Sequence, residues 1–405
     1  MAAQLALDSA LTGLLPEWFR RRFFWRPQHD MPDLFGKVYI VTGGNSGVGY
    51  QVVKWLAAKN ATVILATHNM PGARKAFRDI QRDLPHITES RVHPMFLDMT
   101  SMGQVTESIA KFVSDFAATG LPLHGLVNAA GEAMGPPGRG ADGKLPNHTL
   151  ATNYFGPFYL THLLLQPLTA SAPSRVVNVC SALGEYMGRV DWEDLRGERL
   201  ADSDPLSAYN ASKRMLSMAT REMAVRCRGT GVDVFAVHPG FAATQLWHKS
   251  LRRYPSARLF NLAEEWFAQH PFYGALPALF ALSEPGLQGR SGLYLGPPLM
   301  WPLVRHTRLG DYWLGESRDE VKCASLYDAT VKIVGSIISD GLQGASGAGA
   351  EFKQQQRQQL LPPVAPRTAH RTPPPSLHVP ANGGIAPQHQ YQYQYQQCAS
   401  SLHRR

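Results

Sequence analysis

The chain has 405 residues, 44% hydrophobic and 18% charged, an ordinary composition for a soluble globular protein and a length suited to one large α/β domain with extensions. Its net charge of +9 is spread out apart from Arg20, Arg21 and Arg22; with no basic stripe or nucleic-acid motif beside it, the excess points to an anionic cofactor or membrane surface and no nucleic-acid partner. The four cysteines, Cys180, Cys227, Cys323 and Cys398, are scattered without ligand spacing, which argues against a metal site or disulfide framework and for a reducing intracellular compartment.

Residues 1–35 form an N-terminal extension. No apolar run in the chain is long enough to span a membrane. Asp8 and Glu17 interrupt the start and the arginines follow the apolar stretch, so it does not read as a secretory signal. In "LLPEWFRRRFFWRP", Trp18, Phe19, Phe23, Phe24 and Trp25 surround the arginines. Aromatic bodies with cationic heads suit a membrane interface, giving peripheral attachment through residues 14–27. A strap packed on the domain's own surface fits equally, and the location is therefore cytoplasmic or on a membrane surface.

Residues 36–338 alternate short apolar runs with helical patterns. "KVYIVTGG", "ATVILAT", "VHPMFLDMT", "LHGLVNAAG", "SRVVNVCS" and "VDVFAVHPG" read as buried strands, and "SGLYLG" as a last one. Strands separated by crossover helices predict a single domain with a doubly wound parallel sheet, the Rossmann-type architecture. A closing amphipathic helix follows in "SRDEVKCASLYDATVKIVG", with Val321, Ala324, Tyr327, Val331 and Val334 on one face. Residues 339–405 are low-complexity and rich in Gln and Pro, and are expected to be disordered, because they cannot bury enough apolar area to offset ordering entropy.

Two stretches carry chemistry. The first strand runs into "TGGNSGVG", where Gly43, Gly47 and Gly49 permit a tight turn and Asn45, Ser46 and Val48 complete it. A helix from about Val48 to Lys59 would then aim its N-terminal amides at a diphosphate. In "SAYNASK", Tyr209 and Lys213 stand four residues apart, so on a helix a phenol and an ammonium share one face.

The spacing Gly-x3-Gly-x-Gly, with "NAAG" and "YNASK" after it, resembles the short-chain dehydrogenase/reductase family over about residues 36–338. The resemblance implies that Asp98 contacts the adenine ring. It also implies that Asn128, Ala129 and Gly131 brace the sheet and line the cleft, and that Pro239, Gly240 and Thr244 surround the nicotinamide carboxamide. Asn153, Ser181, Tyr209 and Lys213 take the family's four catalytic positions. Tyr209 exchanges the proton of the substrate oxygen, which Ser181 holds. Lys213 binds the nicotinamide ribose and, with the oxidised ring, lowers the phenol's proton affinity, while Asn153 keeps a water relay behind the lysine. Cys180 precedes the serine where the family often has another serine, and it is not expected to do chemistry. At the end of the second strand, "ILATHN" offers no acidic residue to repel a 2′-phosphate. His68 stands where NADP-using members often carry arginine, with Arg74 nearby, so NADP(H) is favoured over NAD(H).

The stretch "ALGEYMGRVDWEDLRGERLADSDPLSAY" resembles the retinol dehydrogenase-type branch. That branch implies a small lipophilic alcohol, aldehyde or ketone substrate, of retinoid, steroid or lipid type. Residues 241–273, with Trp247, Phe260, Leu262, Trp266 and Phe267, would supply an apolar wall. A homodimer is left open. The rival reading is a dinucleotide-sensing scaffold whose two termini recruit partners.

Overall fold

The computed structural model describes residues 25–99, 102–133, 147–202, 205–240, 270–297 and 313–342. The described strands are β1 (Val38–Thr42), β2 (Thr62–Thr67), β3 (Val92–Phe96), β4 (Gly125–Asn128), β5 (Ser174–Val179), β6 (Val232–Val237) and β7 (Tyr294–Leu295). They form one parallel sheet in the order β3-β2-β1-β4-β5-β6-β7. The order reverses between β1 and β4, which opens a crevice at their carboxyl ends, where open α/β sheets bind ligands.

The helices that position the site are α1 (Gly47–Ala58), α2 (Met70–Asp83), α3 (Met102–Ala118), α4 (Gly156–Ala170), α5 (Ala182–Met187), α6 (Pro205–Arg226), α7 (Pro271–Ser283) and α8 (Glu320–Leu342). Successive strand residues feed opposite layers, since side chains alternate across a pleated strand. Val38 and Ile40 join a core with α3, α4, α6 and α8, while Tyr39 and Val41 join one with α1, α2 and α7. Because both faces are covered, β1 and β2 are buried throughout.

Three sequence expectations are corrected. β3 is an edge strand in which only Val92 is buried and Phe96 is 55% exposed; Pro94 suits an edge because it has no N–H to donate. Ala324, Tyr327 and Val334 of the expected α8 stripe are buried and Val331 packs against the core, but Val321 is 69% exposed, and Cys323, Thr330 and Ile338 widen the buried face. The packed unit also begins before residue 36. Trp25 is buried with its ring edge-on to Phe280 of α7 at 5.5 Å, and Met31 and Leu34 join the same core. Trp25 thus behaves as a strap, while Trp18, Phe19, Phe23 and Phe24 lie outside the described residues. So do residues 343–405 and the expected substrate wall with Trp247, Phe260, Leu262, Trp266 and Phe267.

Helix α8 closes one layer through polar as well as apolar contacts. Thr330 and Tyr154 share a hydroxyl–hydroxyl hydrogen bond of 2.5 Å, and Tyr327 meets buried His162 Nε2 at 2.7 Å. The Arg226 guanidinium lies 4.1 Å from the centroid of the Tyr327 ring. Among the described residues no helix is long and apolar enough to cross a membrane.

Candidate active site

The β1–α1 turn lies at the crevice, and only glycine fits it at two points. A Cβ on Gly43 (φ +66°) would stand 2.8 Å from Ala130 Cα, and one on Gly49 would stand 2.5 Å from the Gly43 carbonyl oxygen. Gly47 also has positive φ, +56°. Ser46 is the extended N-cap of α1, and its side chain makes no cap hydrogen bond, so the first amides of α1, with Val48 among them, are left for an anion. Thr67 donates to Asn45 Oδ1 at 2.8 Å, tying this turn to the end of β2. His68 and Arg74 are both exposed beyond that end. The backbone N–H of Asp98 is held by Ser108 Oγ at 2.9 Å, which fixes the end of the β3 connection.

The "NAAG" turn follows β4 and lies between the end of β1 and α6. Thr42 Oγ1 accepts from the Ala129 and Ala130 amides at 3.1 and 3.0 Å. Asn128 Nδ2 donates to Thr161 and Asn178 at 3.0 and 2.7 Å, so Asn128 braces the sheet beneath the turn. A Cβ on Gly131 would lie 3.4 Å from Lys213 Nζ and 3.3 Å from Asn153 Oδ1. The glycine turn, Ala130, Gly131 and the lysine are therefore neighbours. Asn153 sits in a π-helical turn, Ala151–Phe155, ahead of α4. Its Oδ1 accepts from the Glu132 amide at 2.7 Å, and its Nδ2 donates to Glu132 O and Ser212 Oγ at 2.8 and 3.0 Å.

Ser181 is the N-cap of α5 and accepts from the Leu183 amide at 3.3 Å. Its side chain lies beside the Tyr209 phenol and favours the ionised form of that phenol. Tyr209 and Lys213 are both buried on α6, and Lys213 Nζ donates to Val179 O at 2.8 Å. Burial pushes the Tyr209 phenol up to about 12, with Ser181 acting in the opposite direction. Burial also brings Lys213 down to about 8. Burial is the largest influence on the phenol, and the Lys213 amine is turned to a backbone carbonyl. Cys180 is likewise pushed up by burial to about 12, which leaves it an inert thiol. Pro239 and Gly240 are half-buried after β6. The Gly240 amide donates to His238 Nδ1 at 3.3 Å, and Thr244 lies outside the described residues.

Sequence reading missed Thr42, Thr67, Glu132 and Ser212. The threonines close strands β1 and β2, where a small hydroxyl can tie the next turn; that position is the signal that could have found them. Glu132 and Ser212 act through a backbone contact and a hydroxyl, with no spacing to mark them.

A parallel doubly wound sheet with a glycine-only turn at its switch point is the architecture of dinucleotide-binding proteins. Residues 37–192 match the short chain dehydrogenase family. The chain is 35% identical over 306 residues to retinol dehydrogenase 11 of Mus musculus, covering 74% of this chain and 87% of that protein. Polyprenol dehydrogenase of Danio rerio is 35% identical, covering 66% of this chain and 80% of the relative. A crystal structure of an uncharacterized protein from Mycobacterium paratuberculosis shares the fold with a TM-score of 0.58 and 25% identity, over 76% of this chain and 97% of that one. The chain belongs to the short-chain dehydrogenase/reductase family and is retinol dehydrogenase-like. It is accordingly an oxidoreductase acting on CH–OH groups with a nicotinamide dinucleotide.

Proposed function

We propose that the protein transfers hydride between NADP(H) and a lipophilic alcohol/carbonyl pair, with Tyr209 as general acid/base. The observation that carries the proposal is the Ser181–Tyr209 hydroxyl pair, with Lys213 one contact from the glycine turn through Gly131. Hydride chemistry at the carbonyl carbon is what a bound nicotinamide supplies. The chain supplies the rest. Ser181 orients the substrate oxygen, and Tyr209 donates its proton to it during reduction or removes it during oxidation. A phenol raised by burial keeps its proton through neutral pH, the state needed to donate it to a carbonyl oxygen. Lys213 holds the ribose beneath the ring, and Asn153 fixes the Glu132 backbone beside the lysine.

The residues fit the dinucleotide. A glycine cradle that a Cβ would fill and an N-cap side chain of α1 that makes no cap hydrogen bond suit a diphosphate; on this reading Asp98 serves the adenine and Pro239 and Gly240 the carboxamide. NADP(H) is favoured because Thr67, His68 and Asn69 offer no carboxylate at the end of β2 and Arg74 adds a positive charge. The relatives named for retinol and polyprenol support an apolar substrate. NADPH oxidation against a panel of long-chain and cyclic aldehydes and ketones should reveal turnover, faster than with NADH. Absence of turnover with every carbonyl would favour the scaffold reading.

A further inference from the structure

Arg214 follows Lys213 on α6 and is as deeply buried, its side chain 5% exposed against 2% for its partner Glu185. Its Nη1 donates to Glu185 Oε2 at 3.1 Å, to Ser317 Oγ at 3.0 Å and to the Leu314 carbonyl. Its Nε donates to the Gly188 carbonyl at 3.3 Å and its Nη2 to the Glu185 carbonyl. The Glu185 carboxylate is saturated in turn: Oε1 accepts from Ser217 Oγ, and Oε2 accepts from Ser317 Oγ and, at 3.0 Å, from the Leu314 amide. Such a pair contributes little net stability, because desolvation offsets its attraction and apolar residues of similar volume often replace it without loss. Its placement asks for another explanation.

The pair grips the helix that carries Ser181. Helix α5 has six residues, too few to hold itself in water. Its N-cap is Ser181, and at its other end Arg214 binds the carbonyls of Glu185 in the last turn and of the C-cap residue Gly188. Backbone packing is equally tight. A Cβ on Gly184 would stand 2.8 Å from Lys213 Cβ, and one on Gly188 would stand 2.4 Å from the Asn210 carbonyl oxygen. One guanidinium therefore caps α5, is covalently continuous with the Tyr209–Lys213 turn, and joins both to residues 314–317.

We propose that Glu185 and Arg214 are positioning residues that hold Ser181 in register with Tyr209 and tie that register to the docking of the Leu314–Ser317 segment. The proposal rests on the reading of Ser181 and Tyr209 as the pair that handles the substrate proton. Neither Glu185 nor Arg214 touches the reacting atoms.

The test compares the apolar double variant Glu185→Leu/Arg214→Met with wild type in thermal unfolding and steady-state NADPH kinetics. The double variant should recover most of the thermal stability that Arg214→Met alone loses. Its kcat should nevertheless stay down by about ten- to a hundred-fold, the scale expected for a misplaced catalytic group, with KM for NADPH unchanged. In a Ser181→Ala background the same pair of replacements should cost little further kcat, since coupled sites are non-additive. A double variant with wild-type kcat, or a loss that multiplies in full with that of Ser181→Ala, would overturn the proposal. Should the double variant fail to fold, Arg214→Lys keeps the charge but not the five-donor fork and must give the same kcat-only loss. If Ser181→Ala itself leaves turnover intact, the underlying reading of the site fails instead, a separable outcome.

Discussion

A buried phenol and a buried amine share one helix, and desolvation moves both toward their neutral forms. Tyr209 rises to about 12 and Lys213 falls to about 8. In the free protein the lysine therefore loses its charge within an accessible pH range, well before the tyrosine does. Since kcat/KM reports ionisations of the free enzyme, kcat/KM for NADPH should be level below neutrality and decline as pH rises through about 8. A profile without an inflection between pH 7 and 10 would show that Lys213 stays charged throughout. The Tyr209–Lys213 spacing was legible in the sequence, because four residues on a helix always share a face. Their proton affinities were not, because they depend on what buries each group. Arg214 shows the same limit. One more charged residue on a helix reads as solvent-facing until Glu185 arrives beside it from 29 positions away.

At the scale of elements, valine- and isoleucine-rich runs located the strands and the doubly wound class, while the switch between β1 and β4 is set by strand pairing. What misled was composition at the margins. "VHPMF" is apolar enough to look buried, yet it forms the sheet's edge, and Val321 fits the helical stripe of α8 but lies exposed at its first turn. Edge position and helix rotation are set by neighbouring elements, so local pattern under-determines both. The glycine turn was legible in position, but the reason for Gly49 was not. It packs against the Gly43 backbone, where a methyl group would stand 2.5 Å from a carbonyl oxygen. Gly49→Ala is therefore expected to push α1 off the turn, costing about 1–3 kcal/mol of stability and weakening NADPH binding at least tenfold in a fluorescence titration. Unchanged affinity and melting temperature would mean that the turn relaxes freely.

Across the whole molecule, two buried histidines make the fold sensitive to acid. Burial holds His162 and His238 down to about 4; His162 contacts Tyr327 of α8, and His238 lies edge-on to Tyr294 of β7 at 5.8 Å. Their unfolded-state value is near 6.5, so between pH 6.5 and 4 the unfolded chain binds more protons than the native one, and stability falls as pH falls. Each ring contributes roughly 3 kcal/mol across that window. The melting temperature should drop steeply there, with a shallower slope in His162→Phe; equal slopes would place the acid sensitivity elsewhere. The same folded unit carries the proposed chemistry, and its central claim is that the Tyr209 hydroxyl moves the substrate proton. The direct measurement is the rate of NADPH-dependent carbonyl reduction by Tyr209→Phe. The account predicts kcat lower by about 10²–10⁴ with KM for NADPH and melting temperature near wild type, whereas turnover unaffected by loss of that hydroxyl would contradict it.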